Sequence, residues 1–167
     1  EAASRQRAAR PAVFHNMALA LEKLGRDDEA REALGQALAK GGHEDPRVHL
    51  SLGVLELRRG DFAAADAHFM RARPLYGTRP PAAVWFHEAA VASALAGHFE
   101  KTVALLTEGT TAHPHAAALH NNLAVALMAL GRTDEAVLAI QRVGKVAGHA
   151  DVMQHKIGHA LVQVAEE

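Results

Sequence analysis

The stretch LGRDDEA at residues 24–30 returns almost unchanged as LGRTDEA at residues 130–136. Two related stretches lie between these copies: RGDFAAA at residues 59–65 and AGHFEKT at residues 96–102. A glycine therefore recurs at positions 25, 60, 97 and 131, with spacings of 35, 37 and 34 residues. A recurrence of this period is typical of proteins built from stacked copies of one supersecondary unit.

Each of these glycines separates two stretches whose apolar residues have helical spacing. Glycine adopts the left-handed conformation that ends a helix at little cost. Asp27, Asp61 and Thr133 follow closely, and each is expected to cap the next helix through its side-chain oxygen. The pattern predicts a helix, a tight turn and a second helix in every unit.

The composition agrees with a helical domain. The chain has 167 residues, of which 49% are hydrophobic, 22% are charged and only 4% are aromatic. Alanine is abundant, which favours helices over strands. The net charge of −1 lacks the basic excess that a general hold on nucleic acid requires. The chain has no cysteine, which excludes disulfides and thiolate metal sites, and no apolar run approaches the roughly 20 residues that span a bilayer.

The period and the turn pattern together resemble the tetratricopeptide repeat (TPR) family. The resemblance covers residues 11–148 as four repeats, at about 11–42, 46–77, 81–114 and 115–148. It implies an all-α, right-handed α-solenoid of helix-turn-helix repeats. It also implies that small residues such as Ala30 and Ala65 are buried where the two helices of a repeat meet.

The family's aromatic position shows where this chain departs from the pattern. It falls on Phe14 and Phe86 in repeats 1 and 3, but on His49 and His120 in repeats 2 and 4.

Two end segments lie outside the four repeats. Residues 1–10 form an N-terminal extension, and residues 150–167 match a C-terminal capping helix or a truncated fifth repeat. The chain begins at Glu1 rather than at a methionine. A cytoplasmic location is favoured, while a trimmed signal would keep the periplasm or secretion open.

The resemblance implies that a peptide-binding groove is lined by the first helix of each repeat. Asn16 and Asn122 occupy equivalent positions, where an amide offers both a donor and an acceptor to a ligand backbone. The row of residues expected deepest in this groove, Leu19, Val54, Val91 and Val125, is apolar, as is common at interaction sites. Lysines suited to a C-terminal carboxylate are missing, so an apolar or helical segment is the expected ligand. The candidate peptide-binding residues are His15, Asn16, Leu19, Leu50, Val54, Leu57, His87, Val91, Leu95, Asn121, Asn122, Val125 and Met128.

No pattern of a nucleophile, a base and an oxyanion site is present, so the chain is not expected to be an enzyme or to carry a cofactor. His155 and His159 lie four residues apart and could share a divalent ion, but no third ligand is evident. No metal site is therefore expected.

The sequence predicts a non-catalytic interaction module or scaffold that holds a partner peptide or helix. Two alternatives stay open. One is an export or assembly chaperone for a secreted or membrane client, and the other is the substrate-recognition domain of a larger enzyme. Neither nucleic acid nor a membrane span is expected. A homo-oligomer or larger assembly stays open, since an uncovered apolar row can also be filled by a second copy.

Overall fold

The computed structural model describes the backbone of residues 2–147 and the side chains of residues 11–142. This part of the chain contains eight α-helices, one short 3₁₀ turn at Gly42–Glu44 and no strand, in agreement with the predicted all-α class. The proposed capping helix at 150–167, with His155 and His159, lies outside the described residues. The helices are α1 (Ala2–Lys23), α2 (Asp27–Ala39), α3 (Pro46–Arg59), α4 (Phe62–Leu75), α5 (Ala83–Leu95), α6 (Phe99–Ala112), α7 (Ala117–Ala129) and α8 (Thr133–Ala147).

The recurring glycines end the first helix of each pair, as the sequence predicts. Gly25, Gly60, Gly97 and Gly131 have φ angles of 70°, 81°, 80° and 70°. These angles lie in the left-handed region, where a side chain is disfavoured. The chain reverses at each glycine, so that α1 packs on α2, α3 on α4, α5 on α6 and α7 on α8.

Only one of the three predicted caps is found. The carboxylate of Asp61 accepts a hydrogen bond from the backbone N–H of Ala64 at 3.0 Å. Asp27 and Thr133 are instead the first residues of their helices, and the prediction that they cap was wrong. Asp27 accepts hydrogen bonds from Arg58, 31 residues away. Negative charge remains favourable at this helix start because of the helix dipole.

The chain divides into two compact units, Glu1–Arg79 and Pro80–Glu167, called unit 1 and unit 2. The core of unit 1 is made of small and medium side chains contributed by α1, α2 and α3. Ala30 and Ala65 are fully buried, which confirms the prediction for these two small positions. The buried members of this core are Ala18, Ala30, Ala33, Leu34, Ala37, Val48, Leu52 and Leu55.

In unit 2, large aromatic side chains are buried at the beginning of α5. Trp85 and Phe86 are 1% and 0% exposed and meet edge to face, with ring centroids 5.1 Å apart. His113 packs against Phe86, and its Nε2 lies 2.7 Å from the backbone carbonyl of Pro81. This bond ties the turn after α6 to the segment that precedes α5.

Two helix pairs each pack a phenylalanine ring against a glycine, but the glycine is on the first helix in one pair and on the second helix in the other. In α3, Gly53 leaves room for Phe69 of α4, because a Cβ atom on Gly53 would lie 3.0 Å from the Phe69 ring. In α6, Gly109 leaves room for Phe86 of α5, and a Cβ atom there would lie 2.9 Å from that side chain. One helix carries the ring and its partner carries the glycine, so the pair stays close.

This arrangement predicts opposite effects for one substitution at two helical glycines. Gly109→Ala should lower the free energy of unfolding by about 1–2 kcal/mol, because the added methyl group overpacks Phe86. Gly35→Ala, in an exposed part of α2 with no atom within 4 Å, should raise it by about 0.5–1 kcal/mol through helix propensity. Urea unfolding of the full chain measures both values. Equal effects of the two changes would contradict the packing described here.

Candidate protein-binding surface

Two polar contacts hold α1 and α3 together in unit 1. Nε2 of His15 lies 3.2 Å from Oγ of Ser51 in a buried hydrogen bond. Near the other end of these helices, Arg58 donates to Glu22 at 3.1 Å and to Asp27 at 2.8 Å. These contacts join α1 and α3, the first helices of repeats 1 and 2, at two places along their length.

Burial and charge both keep His15 neutral. Burial lowers the pKa of His15, and the nearby guanidinium of Arg47 acts in the same direction. The carboxylate of Asp45 opposes them, but it is hydrogen-bonded to Arg47, which lowers the pKa of Asp45. His15 thus serves as a neutral hydrogen-bonding group between repeats.

The predicted apolar row in unit 1 remains partly open. Leu19 is 40% exposed, and Leu50, Val54 and Leu57 are half-buried. Asn16 is exposed on the same helix as Leu19. These five predicted residues lie on α1 and α3, the two helices that the His15–Ser51 and Arg58–Glu22 contacts join. Together they leave apolar surface accessible on this pair of helices.

Unit 2 has the equivalent helices α5 and α7, but two of its predicted residues are buried. Val91 is 4% exposed and Asn122 is fully buried. The amide Nδ2 of Asn122 donates to Nδ1 of half-buried His87 at 2.9 Å, and its Oδ1 is buried with no hydrogen-bond partner. The other predicted residues on these helices are half-buried Leu95, Asn121 and Val125, together with Met128, which is 59% exposed.

Three of the predicted contact residues are therefore not open to a ligand. His15, Val91 and Asn122 are buried, so their side chains offer little surface to a ligand. The amides of Asn16 and Asn122 differ although their sequence positions match. His87 of the preceding repeat supplies a partner for Asn122, whereas Asn16 lies in the first repeat.

The chain also has a second, longer period of two repeats. His15 and Ser51 are ten and nine residues before their turn glycines, and so are His87 and Asn122. In both units the histidine of one repeat bonds to the polar side chain of the next, 36 or 35 residues along. Comparing positions 71–72 residues apart, rather than about 34, would have found these pairs. The two units therefore share one pattern of hydrogen bonds between their repeats.

His49 and His120, which replace the family's aromatic residue, make the same kind of hydrogen bond in both units. Nε2 of His49 lies 3.3 Å from the carbonyl oxygen of His43, and Nε2 of His120 lies 3.0 Å from that of Pro114. In both cases the acceptor is six residues earlier, in the turn that precedes the helix. Each histidine therefore anchors its helix to the preceding turn, a contact that a phenylalanine could not make.

Among the described residues, no three histidine, aspartate or glutamate side chains come together as a metal site. None of the helices in this part of the chain is both long and apolar enough to cross a membrane.

Two sequence models of the tetratricopeptide repeat match the chain, one at residues 15–80 and the other at residues 93–153. The chain belongs to the tetratricopeptide repeat family. Membership of this family supports a role as a protein-interaction module. A search of curated proteins finds no match.

Solved TPR-type structures share the fold. A crystal structure of MamA superposes with a TM-score of 0.75 at 16% identity, covering 83% of this chain and 78% of that one. YrrB, described as a TPR protein with an unusual peptide-binding site, gives a TM-score of 0.73 at 16% identity, over 92% and 76%. The Cut9–Hcn1 structure gives 0.68 at 18% identity, over 92% and 29%. These likenesses confirm the α-solenoid class.

Val54 and Val91 occupy the same position in repeats 2 and 3 but differ in burial, which predicts different tolerance to charge. Val91→Glu should lower the free energy of unfolding by about 3 kcal/mol or more, because the carboxylate has no partner in a buried site. Val54→Glu, at a half-buried position, should cost less than about 1 kcal/mol. Thermal and urea unfolding measure both. A Val91→Glu protein as stable as Val54→Glu would show that Val91 is accessible after all.

Proposed function

We propose that the chain is a non-catalytic interaction module that holds an apolar peptide or helix of a partner protein on the α1–α3 face of unit 1. The observation that carries the proposal is the open apolar row of this face. Leu19 is 40% exposed, and Leu50, Val54 and Leu57 keep part of their surface accessible. Apolar surface that stays open in the free protein gains free energy when a partner covers it.

The rigidity of the face supports the same proposal. The His15–Ser51 bond and the Arg58–Glu22 ion pair join α1 to α3, and the Arg58–Asp27 ion pair joins α3 to α2, so little ordering has to accompany binding. A surface that is ordered beforehand loses less conformational entropy when it binds. Exposed Asn16 adds one amide that can donate to and accept from the backbone of a bound segment.

The charges of this face favour an apolar ligand over a charged one. Arg58 is engaged by Glu22 and Asp27, so its charge is compensated within the protein. A ligand carboxylate would have to compete with two existing partners for that guanidinium. Affinity is therefore assigned to the leucine and valine side chains, and the polar groups position the ligand.

The binding surface can be tested with a peptide-display library selected against the full chain. The selected peptides should carry apolar residues, and calorimetry should give their affinities. Leu19→Asp together with Val54→Asp should weaken binding more than tenfold, about 1.4 kcal/mol, because two charges would face apolar ligand atoms. Circular dichroism should be unchanged.

The matched control is Gln36→Asp together with Ala67→Asp, two exposed positions on α2 and α4 that add the same charge. This pair should bind selected peptides as the unmodified chain does. If the control pair abolishes binding and the α1–α3 pair does not, the second helices carry the site. When the α1–α3 pair is the one that loses binding, a photo-crosslinker placed at Leu57 in the native host identifies the partner, and the class of that partner distinguishes a scaffold partner from a chaperone client or a catalytic domain.

A further inference from the structure

Two histidine side chains of unit 1 meet between α3 and α4. The Nδ1 atoms of His49 and His68 are 3.3 Å apart, and their ring centroids are 5.6 Å apart with an interplanar angle of 31°. His49 is only 5% exposed and His68 is half-buried. The binding face proposed above does not use this pair, which is called the histidine couple below.

The protonation of the couple follows from its hydrogen bonds. The carbonyl oxygen of His43 can only accept, so Nε2 of His49 carries the hydrogen. In neutral His49 the Nδ1 atom is then bare, and His68 must donate its Nδ1–H to it. One extra proton can enter at Nε2 of His68 without breaking this bond. A second proton cannot, because two N–H groups and two positive charges would then face each other at 3.3 Å.

The surroundings of His49 resist protonation. Burial is the main cause that lowers the pKa of His49, and the charge of Arg71 on α4 and the proximity of the His43 ring in the 3₁₀ turn act in the same direction. The hydrogen bond to the His43 carbonyl and the carboxylate of Asp45 oppose them without reversing the direction. Burial, together with groups on α4 and in the 3₁₀ turn, therefore disfavours a proton on His49.

The same holds for its partner. Burial is again the main cause that lowers the pKa of His68, followed by the repulsion from His49 if both rings were protonated and by the charges of Arg71 and of Arg31 on α2. Only Glu56 on α3 favours the charged form, and that carboxylate already accepts a hydrogen bond from Arg31 at 2.6 Å. The two carboxylates that favour a proton on the couple, Glu56 and Asp45, are each already hydrogen-bonded to an arginine.

Unit 2 provides an internal comparison. His120 occupies the position of His49 and anchors to the carbonyl of Pro114 in the same way. At the position of His68, eight residues after the turn glycine, repeat 4 has Ala139. Nδ1 of His120 is accordingly buried without a hydrogen-bond partner. The anchoring histidine is common to both units, whereas the couple belongs to unit 1.

We propose that the histidine couple is an acid-sensitive joint: at neutral pH it holds α3 against α4, and in mildly acidic solution it lets unit 1 open before unit 2. The unfolded chain takes up one proton on each histidine near pH 6.5. The native couple accepts at most one without breaking. The stability that comes from the neutral couple is therefore complete above pH 6.5 and is lost as the pH falls below it.

A consequence for binding rests on the proposed function. Leu50, Val54 and Leu57 belong to α3, so a loosened α3–α4 pair would disturb the face that holds the partner. A peptide bound at neutral pH should then be released in mild acid. The opening of α3 and α4 is measured on the free chain, so the joint and the proposed binding face can fail independently.

Hydrogen–deuterium exchange of the full chain at pH 7.5 and 5.5, corrected for intrinsic exchange rates, tests the joint. For each proton that the unfolded chain takes up and the native couple does not, the opening constant of the α3 and α4 amides should be about tenfold higher at pH 5.5 than at pH 7.5. The lower pH lies one unit below the ordinary pKa of histidine. Amides of α7 and α8 should respond less. His68→Ala, which copies the alanine of repeat 4, should reduce the pH response of α3 and α4 by about tenfold.

Two further variants keep the result interpretable. His49→Phe restores the aromatic residue usual at this position and should also reduce the response, even if it changes the stability at neutral pH. His115→Ala removes an exposed histidine of unit 2 and should leave the response of α3 and α4 unchanged. The joint is disproved if the opening of α3 and α4 depends on pH by the same factor in the unmodified chain, His68→Ala and His49→Phe.

Discussion

The left-handed turn at the middle of each repeat is the constraint on which the other contacts depend. Gly25, Gly60, Gly97 and Gly131 all have φ between 70° and 81°, and each reverses the chain so that two helices lie side by side. The number of residues between the turn and any later position is then fixed, which decides which side chains face the partner helix. Ala30 and Ala65 lie five residues after their turn glycines and are both fully buried. Small residues at these places allow the helices to approach closely.

Because this constraint is local, the fold could be predicted from the sequence. The turn, the helix pairs and the buried alanines depend on residues within one repeat, and the pattern occurs four times. The cap at Asp61 was also predictable, because a capping side chain bonds to its own helix. Asp27 has the same local signal, yet its carboxylate bonds to Arg58 of the next repeat. Nothing near Asp27 in the sequence indicates that competition.

The candidate site was less predictable because burial on the first helices is decided by the neighbouring repeat. Val54 and Val91 have the same residue type and the same register, but one is half-buried and the other is 4% exposed. Asn122 was expected to meet a ligand and instead bonds to His87, 35 residues earlier. These pairings do have a signal in the sequence, but only at the period of two repeats, where each histidine recurs with its polar partner.

The two units repeat one scaffold, so the positions at which they differ show which side chains the scaffold does not require. Arg58 and Glu22 form an ion pair in unit 1, and the matching positions of unit 2 are Ala129 and Ala94. His68 likewise corresponds to Ala139. Alanine at these places is sufficient for helix packing, because unit 2 has the same helix pairs without the charged or titratable groups. The Arg58–Glu22 ion pair and the histidine couple are therefore not required by the fold, and they lie in the unit in which Val54, at the position of buried Val91, keeps part of its surface accessible. This coincidence is the physical reason for assigning both partner binding and the acid response to unit 1.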